Sequence, residues 1–479
     1  MIACREIILP LRVTIFHKYG ILQLISLCGT NKRGAYIATY NSLSKIPLPK
    51  FLHSHKLPNN LMKKEFFLKK RIAVIGSGIS GLTSSYVLSK NHDVSLFEAN
   101  DYLGGHTHTL SVETEETVYS IDTGFIVFNK RTYPNFCKLL EELNVATQTS
   151  EMSFSYRADH RGLEYSGHNL NTLFSDRRNL FKLDFYHLIK DIILFNADAK
   201  KFLARTNDLE ITINDFIKEN NYSEQFRECY LIPMMAAIWS KNKEDTLNCS
   251  AIFILQFYNN HGLLDLFNRP LWYVIKQGSK NYITPMLERL KDQVYLNSKV
   301  ERIIRETNKI KIIVNSEEHV FDAVVCATHS DQALTMLEKP TPEEINILSA
   351  IKYTENEVVL HKDKNVMPKN KRAWASWNYL DNQSAAPTLT YYMNRLQSIH
   401  SNHDFFVSVN LSNEIAENQI IQTFNYAHPC LTVSALKAQK QINLINGMNN
   451  TYYVGSYWGY GFHEDGVNSA INTCKLLGT

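Results

Sequence analysis

The chain has 479 residues, 44 % of them hydrophobic and 20 % charged, enough for two domains or one large interrupted domain. No apolar run approaches the length of a membrane span, and the eight cysteines never fall closer together than 20 positions, which excludes a zinc ribbon or disulfide framework and fits reduced thiols in the cytoplasm. The net charge of +4 misleads: residues 1–61 hold eight Lys or Arg against Glu6 alone, leaving 43 basic and 46 acidic residues, so nucleic-acid binding has no electrostatic basis.

In chain order, residues 1–61 carry apolar pieces without sustained period and few acids. They read either as a transit-peptide-like segment or as the result of a start codon assigned upstream of Met62, and residues 1–69 are set outside the fold. The next stretch, KKRIAVIGSGISGLTSSYVLSKNHDVSLFEANDYLGGH (Lys69 to His106), organises the rest. Ile72 to Ile75 is a short apolar run of the kind buried in a parallel sheet. Gly76, Gly78 and Gly81 follow at G-x-G-x-x-G spacing and open a helix through Ile79, Leu82 and Tyr86. A second strand, Val94 to Phe97, ends at Glu98, 22 positions after Gly76, where an acid accepts hydrogen bonds from a ribose diol. This order of strand, turn, helix, strand and acid predicts a dinucleotide site with the pyrophosphate at the helix N-terminus. The acid favours a free 2′-hydroxyl, so the cofactor is NAD or FAD.

Beyond it, Asp122 to Asn129 reads as a strand broken by a turn at Gly124, and Tyr133-Pro134 opens an amphipathic helix with Phe136, Leu139, Leu140 and Leu143. Phe181, Phe185, Leu188, Ile192 and Phe195 recur at helical spacing, which predicts a packed helix over Leu180 to Phe202, with a membrane-surface helix as the alternative. Strand-like runs follow at Lys299 to Ile304, Lys309 to Val314 and Val320 to Thr328, the last containing a segment that could rejoin the parallel sheet. Val358 to His361, Thr388 to Met393 and Phe405 to Leu411 suggest a second sheet, and Tyr452 to Gly466 runs from a strand through glycines into a helix, Val467 to Leu477. His106-Thr-His108 lacks a third metal ligand nearby, and no G-x-S-x-G elbow occurs. The dense aromatics Tyr457, Trp458, Tyr460 and Phe462 read as core or as pocket wall.

The motifs IAVIGSGISGL, LGGHTHT, DTGFIVFN, PMMAAIWS, ATHSDQAL and YWGYGFHEDG make the chain resemble the flavin-containing amine oxidase superfamily over residues 70 to 479. Within it, the chain is most similar to a bacterial subfamily of NAD/FAD-binding oxidoreductases whose genes often lie beside cyclopropane-fatty-acid synthase relatives. The resemblance implies FAD, because in such flavoproteins a second glycine pair, here Gly104-Gly105, passes along the FAD phosphates. Two departures stand out: His106 replaces an arginine usual after that pair, and Tyr457 stands where an acid is usual after Gly455. The cofactor contacts implied are Gly76, Gly78, Ile79, Ser80, Gly81, Glu98, Gly104, Gly105, His106, Val300, Gly455, Gly466 and Val467. His463 is the candidate catalytic residue, moving a proton at a pKa near 6.5 or walling the pocket, while the N–H groups of Gly466 and Val467 face the flavin. By the same resemblance Pro233 to Ser240 and Ala375 to Tyr379 line the substrate cavity.

The fold expected is α/β: a Rossmann-like FAD domain from residues 70–150, 275–335 and 447–479, interleaved with a mixed α+β substrate domain from 151–274, largely helical, and 336–446, largely sheet. The function expected is FAD-dependent oxidation or desaturation of a small hydrophobic or lipid substrate, with peripheral membrane contact and a cytoplasmic location. A flavin-dependent isomerase and a non-catalytic flavin-binding protein are the alternatives.

Overall fold

A computed structural model describes residues 69–479 except 266, 268 and 385, together with two short antiparallel strands, Phe16–Lys18 and Ile21–Gln23. The expectation that residues 1–69 stand outside the fold lies almost wholly outside the described residues. Residues 67–479 make one compact unit.

Its base is a five-stranded, all-parallel sheet. Strand β1 (Arg71–Ile75) is continuously apolar after Arg71 and buried, as a strand covered on both faces must be. It leads through the glycine turn into α1 (Ile79–Leu88) and on to β2 (Asp93–Phe97), which pairs with β1 in parallel. A hairpin, β3 (Thr109–Glu113) with β4 (Val118–Asp122), follows. Pro134, whose fixed φ suits the first helical position, then opens α2 (Pro134–Glu142), with Phe136, Leu139 and Leu140 buried.

The middle of the chain contributes helices, the longest being α3 (Leu183–Arg205), then α4 (Ile232–Trp239) and α5 (Ala251–Asn260). The run predicted as Val320 to Thr328 is two strands. Glu317–Phe321 closes a three-stranded antiparallel sheet with Val300–Glu306 and Lys309–Val314, and β5 (Ala323–Cys326) enters the parallel sheet beside β1. Asp322 marks the break, its carboxylate accepting the Arg71 N–H at 2.7 Å. Val294–Tyr295 pairs outside β2, and the late strand β8 (Thr451–Tyr453) pairs outside β5.

Strands β6 (Lys352–His361) and β7 (Ile420–Cys430) belong to a seven-stranded sheet. Two strands of the region expected to be helical, Phe154–Ala158 and Leu163–Ser166, complete it, the first pairing in parallel with Trp377–Leu380. The chain closes with α6 (His463–Leu476), laid against α1. No described helix is long and apolar enough to cross a membrane, and the six described cysteines are free thiols.

Buried Asp122 ties these parts together. Its carboxylate accepts from Thr109 Oγ1 (2.6 Å), Ser279 N and Oγ (2.8 Å each) and Gln397 Nε2 (3.1 Å), while its own N–H donates to Gln397 Oε1 (3.0 Å). Burial raises its pKa to about 6, although the hydroxyl and amide donors pull the other way.

Candidate cofactor and substrate site

The glycine turn is built from the C-terminal end of β1. The Gly76 N–H donates to Phe97 O at 2.8 Å, and its φ of +97° is open to glycine at little cost. A side chain at Gly81 would run into the Gly76 carbonyl, so glycine there lets α1 lie close to the strand. At Gly78, the N-cap of α1, a Cβ would meet nothing within 4 Å.

Glu98 locks this turn. Its Oε2 accepts from Ser77 N (2.8 Å) and Ser77 Oγ (2.6 Å), and its Oε1 accepts from Asn100 N (2.9 Å). Ser77 Oγ accepts in turn from Gly104 N at 3.1 Å, which brings in the second glycine pair. A Cβ on Gly105 would stand 3.3 Å from Gly78 Cα, so the two glycine elements face one another. Ser77 was not singled out from the sequence; a small hydroxyl residue between two turn glycines, opposite an acid, is the signal that marks it.

These residues fit FAD. The space beside Gly78 is open where a pyrophosphate approaches, and Glu98 Oε1, with one donor, has lone-pair capacity for a ribose hydroxyl. Val300 is buried against the cluster that holds Ile75 and Phe97. The half-buried His106 ring sits 5.0 Å from Tyr426 and 5.3 Å from His428, both on β7. Its Nε2 is buried without a hydrogen-bond partner, and burial, then neighbouring histidines, holds its pKa well below 6.5. A neutral imidazole with one free ring nitrogen thus stands where a guanidinium would carry a fixed charge.

His463 differs from the expectation of a group titrating near 6.5. Burial lowers its pKa to about 3. The ring stacks on Phe125 at 3.4 Å between centroids, and Nε2 lies 3.0 Å from Thr107 Oγ1 and 3.2 Å from Tyr282 OH, two hydroxyls that also bond to each other. The imidazole is neutral and its Nε2 edge is taken.

The Gly466 N–H donates to Phe462 O at 3.1 Å, so it serves the first turn of α6 and is not a free donor. A Cβ there would come within 2.7 Å of Ile79 Cγ2 and 2.8 Å of Ser80 Oγ, so Gly466 lets the starts of α1 and α6 meet. Val467 is core beside Ile79 and Leu82. Glu464 accepts from Asn135 N (3.0 Å) and Phe136 N (2.8 Å), capping α2 from the start of α6. The Gly455 N–H donates to Ser469 Oγ at 3.2 Å.

The aromatic run divides. Tyr457 is core with Ile351 and Ala435. Tyr460 stacks on Phe253 (4.5 Å) and Phe462 on Phe257 (5.1 Å), forming a wall between the C-terminal turn and α5. Trp239, at the end of α4, joins it by donating Nε1–H to Tyr460 O at 3.3 Å. Within 375–379, Asn378 is spent on local bonds and Tyr379 stacks on Tyr156. A cavity of about 230 Å³, lined by Leu209, Ile252, Phe253, Leu436, Gly459 and Tyr460 among others, opens beside the wall.

Burial of the histidines has a measurable consequence. His261, His361 and His428 are held at about 4, and His463 at about 3. Each folded pKa lies below the unfolded 6.5, so the stability each gives is present above pH 6.5 and lost as pH falls. Asp122 at about 6 and Asp465 at about 7 act oppositely: theirs is present below 3.8 and lost as pH rises through those values. Four shifts outweigh two, so the thermal midpoint should fall between about pH 7 and about pH 5. An unchanged or higher midpoint at the lower pH would give the carboxylates the larger part.

A family model described as flavin containing amine oxidoreductase matches residues 79–393. The L-amino-acid oxidase of Bungarus fasciatus is 22 % identical over 304 residues, 59 % of this chain and 56 % of that protein. The 1-hydroxycarotenoid 3,4-desaturase of Flavobacterium sp. is 36 % identical over 228 residues, 45 % of this chain and 41 % of that one. The chain thus spans about half the length of these curated relatives. Among solved structures, a CLA-producing fatty acid isomerase from P. acnes superposes with a TM-score of 0.62 at 14 % identity, covering 86 % of this chain and 99 % of that one. Cyclohexylamine oxidase from Brevibacterium oxydans does so with the same TM-score and coverages at 12 % identity. These two share the fold.

Proposed function

The chain belongs to the flavin containing amine oxidoreductase family and its cofactor is FAD; from that premise we propose that it oxidises or desaturates a hydrophobic substrate, a lipid acyl chain being the best candidate. When bound, the flavin supplies the two-electron acceptor. The chain's own residues bind, orient and shield. The turn from Gly76 to Gly81 with Glu98 would hold the dinucleotide, and the loop Gly104 to His106 would face its phosphates.

The observation that carries the substrate class is the wall of Tyr460, Phe253, Phe257 and Phe462 with the largely apolar cavity beside it, whose polar lining is Gln256, Gln439 and Lys440. Such a lining suits a hydrocarbon and offers an alkyl ammonium no carboxylate partner. The partial relative named for a carotenoid desaturase supports the same class. The FAD-loaded protein, titrated anaerobically with a panel of lipids and amines, tests this. Bleaching by a lipid with stoichiometric product is expected; bleaching by amines alone would overturn the acyl-chain reading. Turnover only after prior reduction of the flavin would favour isomerisation without net redox.

We assign His463 a positioning role, holding the hydroxyls of Thr107 and Tyr282. His463→Asn should keep its FAD and lower flavin reduction by less than about tenfold, with an unshifted pH profile, whereas loss of a general acid or base costs about 100-fold or more. A drop of that larger size with an altered pH profile would return His463 to proton transfer.

A further inference from the structure

Among the described residues, seventeen large hydrophobic side chains are exposed, and seven of them fall within residues 170–194. Phe181 is 88 % exposed, Leu183 77 % and Leu170 76 %. The segment comprises a 3-10 turn, Arg177–Phe181, and the first half of α3. One face of α3 is ordinary core, burying Phe185, Leu188, Phe195 and Phe202. The opposite face carries Leu183, Tyr186, Ile193 and Leu194 at helical spacing, with Lys190 among them. Tyr186 OH donates to Leu180 O at 3.0 Å, so the turn and the helix form one continuous patch.

A helix that is apolar on both faces leaves one face to be covered. We propose that this face, led by Phe181 and Leu183, docks on the surface of a bilayer containing anionic phospholipid. The charges nearby select that occupant. Arg177 and Lys190 are exposed around the apolar side chains against one exposed acid, Asp184, while Arg178 and Asp176 are paired with each other. Cations beside protruding apolar groups complement lipid phosphates over a hydrocarbon interior. A two-fold contact with a second copy would instead set the same cations facing one another. No described helix is long and apolar enough to span a membrane, and the attachment proposed for this face is peripheral. Docking of this kind would serve the acyl-chain reading above, because it brings the site to chains held in a bilayer, but it stands on the exposed patch alone.

The test uses the FAD-loaded full chain and contains no turnover, so it stands apart from the test of the substrate. Sedimentation with vesicles of phosphatidylcholine alone and with about 30 % phosphatidylglycerol should show binding to the second, weakened by salt. Phe181→Asp with Leu183→Asp should lower the partition about tenfold or more while FAD content and thermal midpoint stay unchanged. Wild-type protein remaining in the supernatant, or equal partition by the double variant, would overturn the proposal. So would self-association, lost in the double variant, without vesicle binding, which would assign the patch to a second copy. Vesicle binding by a protein that no lipid reduces would overturn the acyl-chain substrate and leave the docking standing.

Discussion

Gly78→Val is expected to give a folded protein without FAD. The Cβ position at Gly78 meets no protein atom within 4 Å, and its φ of −62° and ψ of 175° suit any residue. The chain alone therefore has no quarrel with a side chain there. The cofactor does, because the pyrophosphate must come against that backbone at the start of α1. Affinity for FAD should fall by roughly 100-fold or more, about 2.7 kcal/mol, with the circular dichroism of the apoprotein unchanged. Gly81→Val is the control, because its side chain would drive into the Gly76 carbonyl and the fold itself should suffer. A Gly78→Val protein that comes off the column yellow would remove the phosphates from this turn.

Asp122→Ala should be the most destabilising single change outside the glycine turn. Four donor atoms on three residues converge on this carboxylate from the β3–β4 hairpin, the segment at Ser279 and Gln397 of the late region. Removing it strands buried donors, a loss of about 3–5 kcal/mol. Asp122→Asn should recover part of it, since an amide oxygen can still accept from Thr109 and Ser279 while its NH₂ faces donors. Chemical denaturation of the three proteins measures this; an Ala variant within about 1 kcal/mol of wild type would mean that water replaces the carboxylate.

What could be read from the sequence was local. The glycine turn, β1, β2 and α2 each carry their signal within a few residues, in spacing and apolar period, although the partners that hold them are distant. Strand β7 escaped because it is a long edge strand with exposed polar residues on both faces, Gln422 on one and Thr423 and Asn425 on the other, and Pro429 near its end. Of the two strands inside the region expected to be helical, Leu163–Ser166 pairs only with Phe154–Ala158, and that strand joins the sheet through Trp377–Leu380, more than 200 positions away. The same distance hid the setting of His463: Thr107 is 356 positions from it and Tyr282 is 181. A histidine near a glycine-rich turn looks free to titrate until the hydroxyls that enclose it are known. Asp122 opens the DTGFIVFN motif, yet nothing there marks its role, which is defined by three segments that only the fold unites.

The parallel sheet bears on how the protein is made. Its outermost strand, Thr451–Tyr453, and the helix that caps α2 through Glu464 come from the last thirty residues of the chain. Synthesis runs from the N-terminus, so β1 and α1 emerge from the ribosome long before the strand and helix that cover them. Until those late residues emerge, one edge of β5 is unpaired and the apolar side of α1 lacks Val467 and Cys474. The early strands and α1 must be kept from aggregating until these late elements have been made and can pack on them.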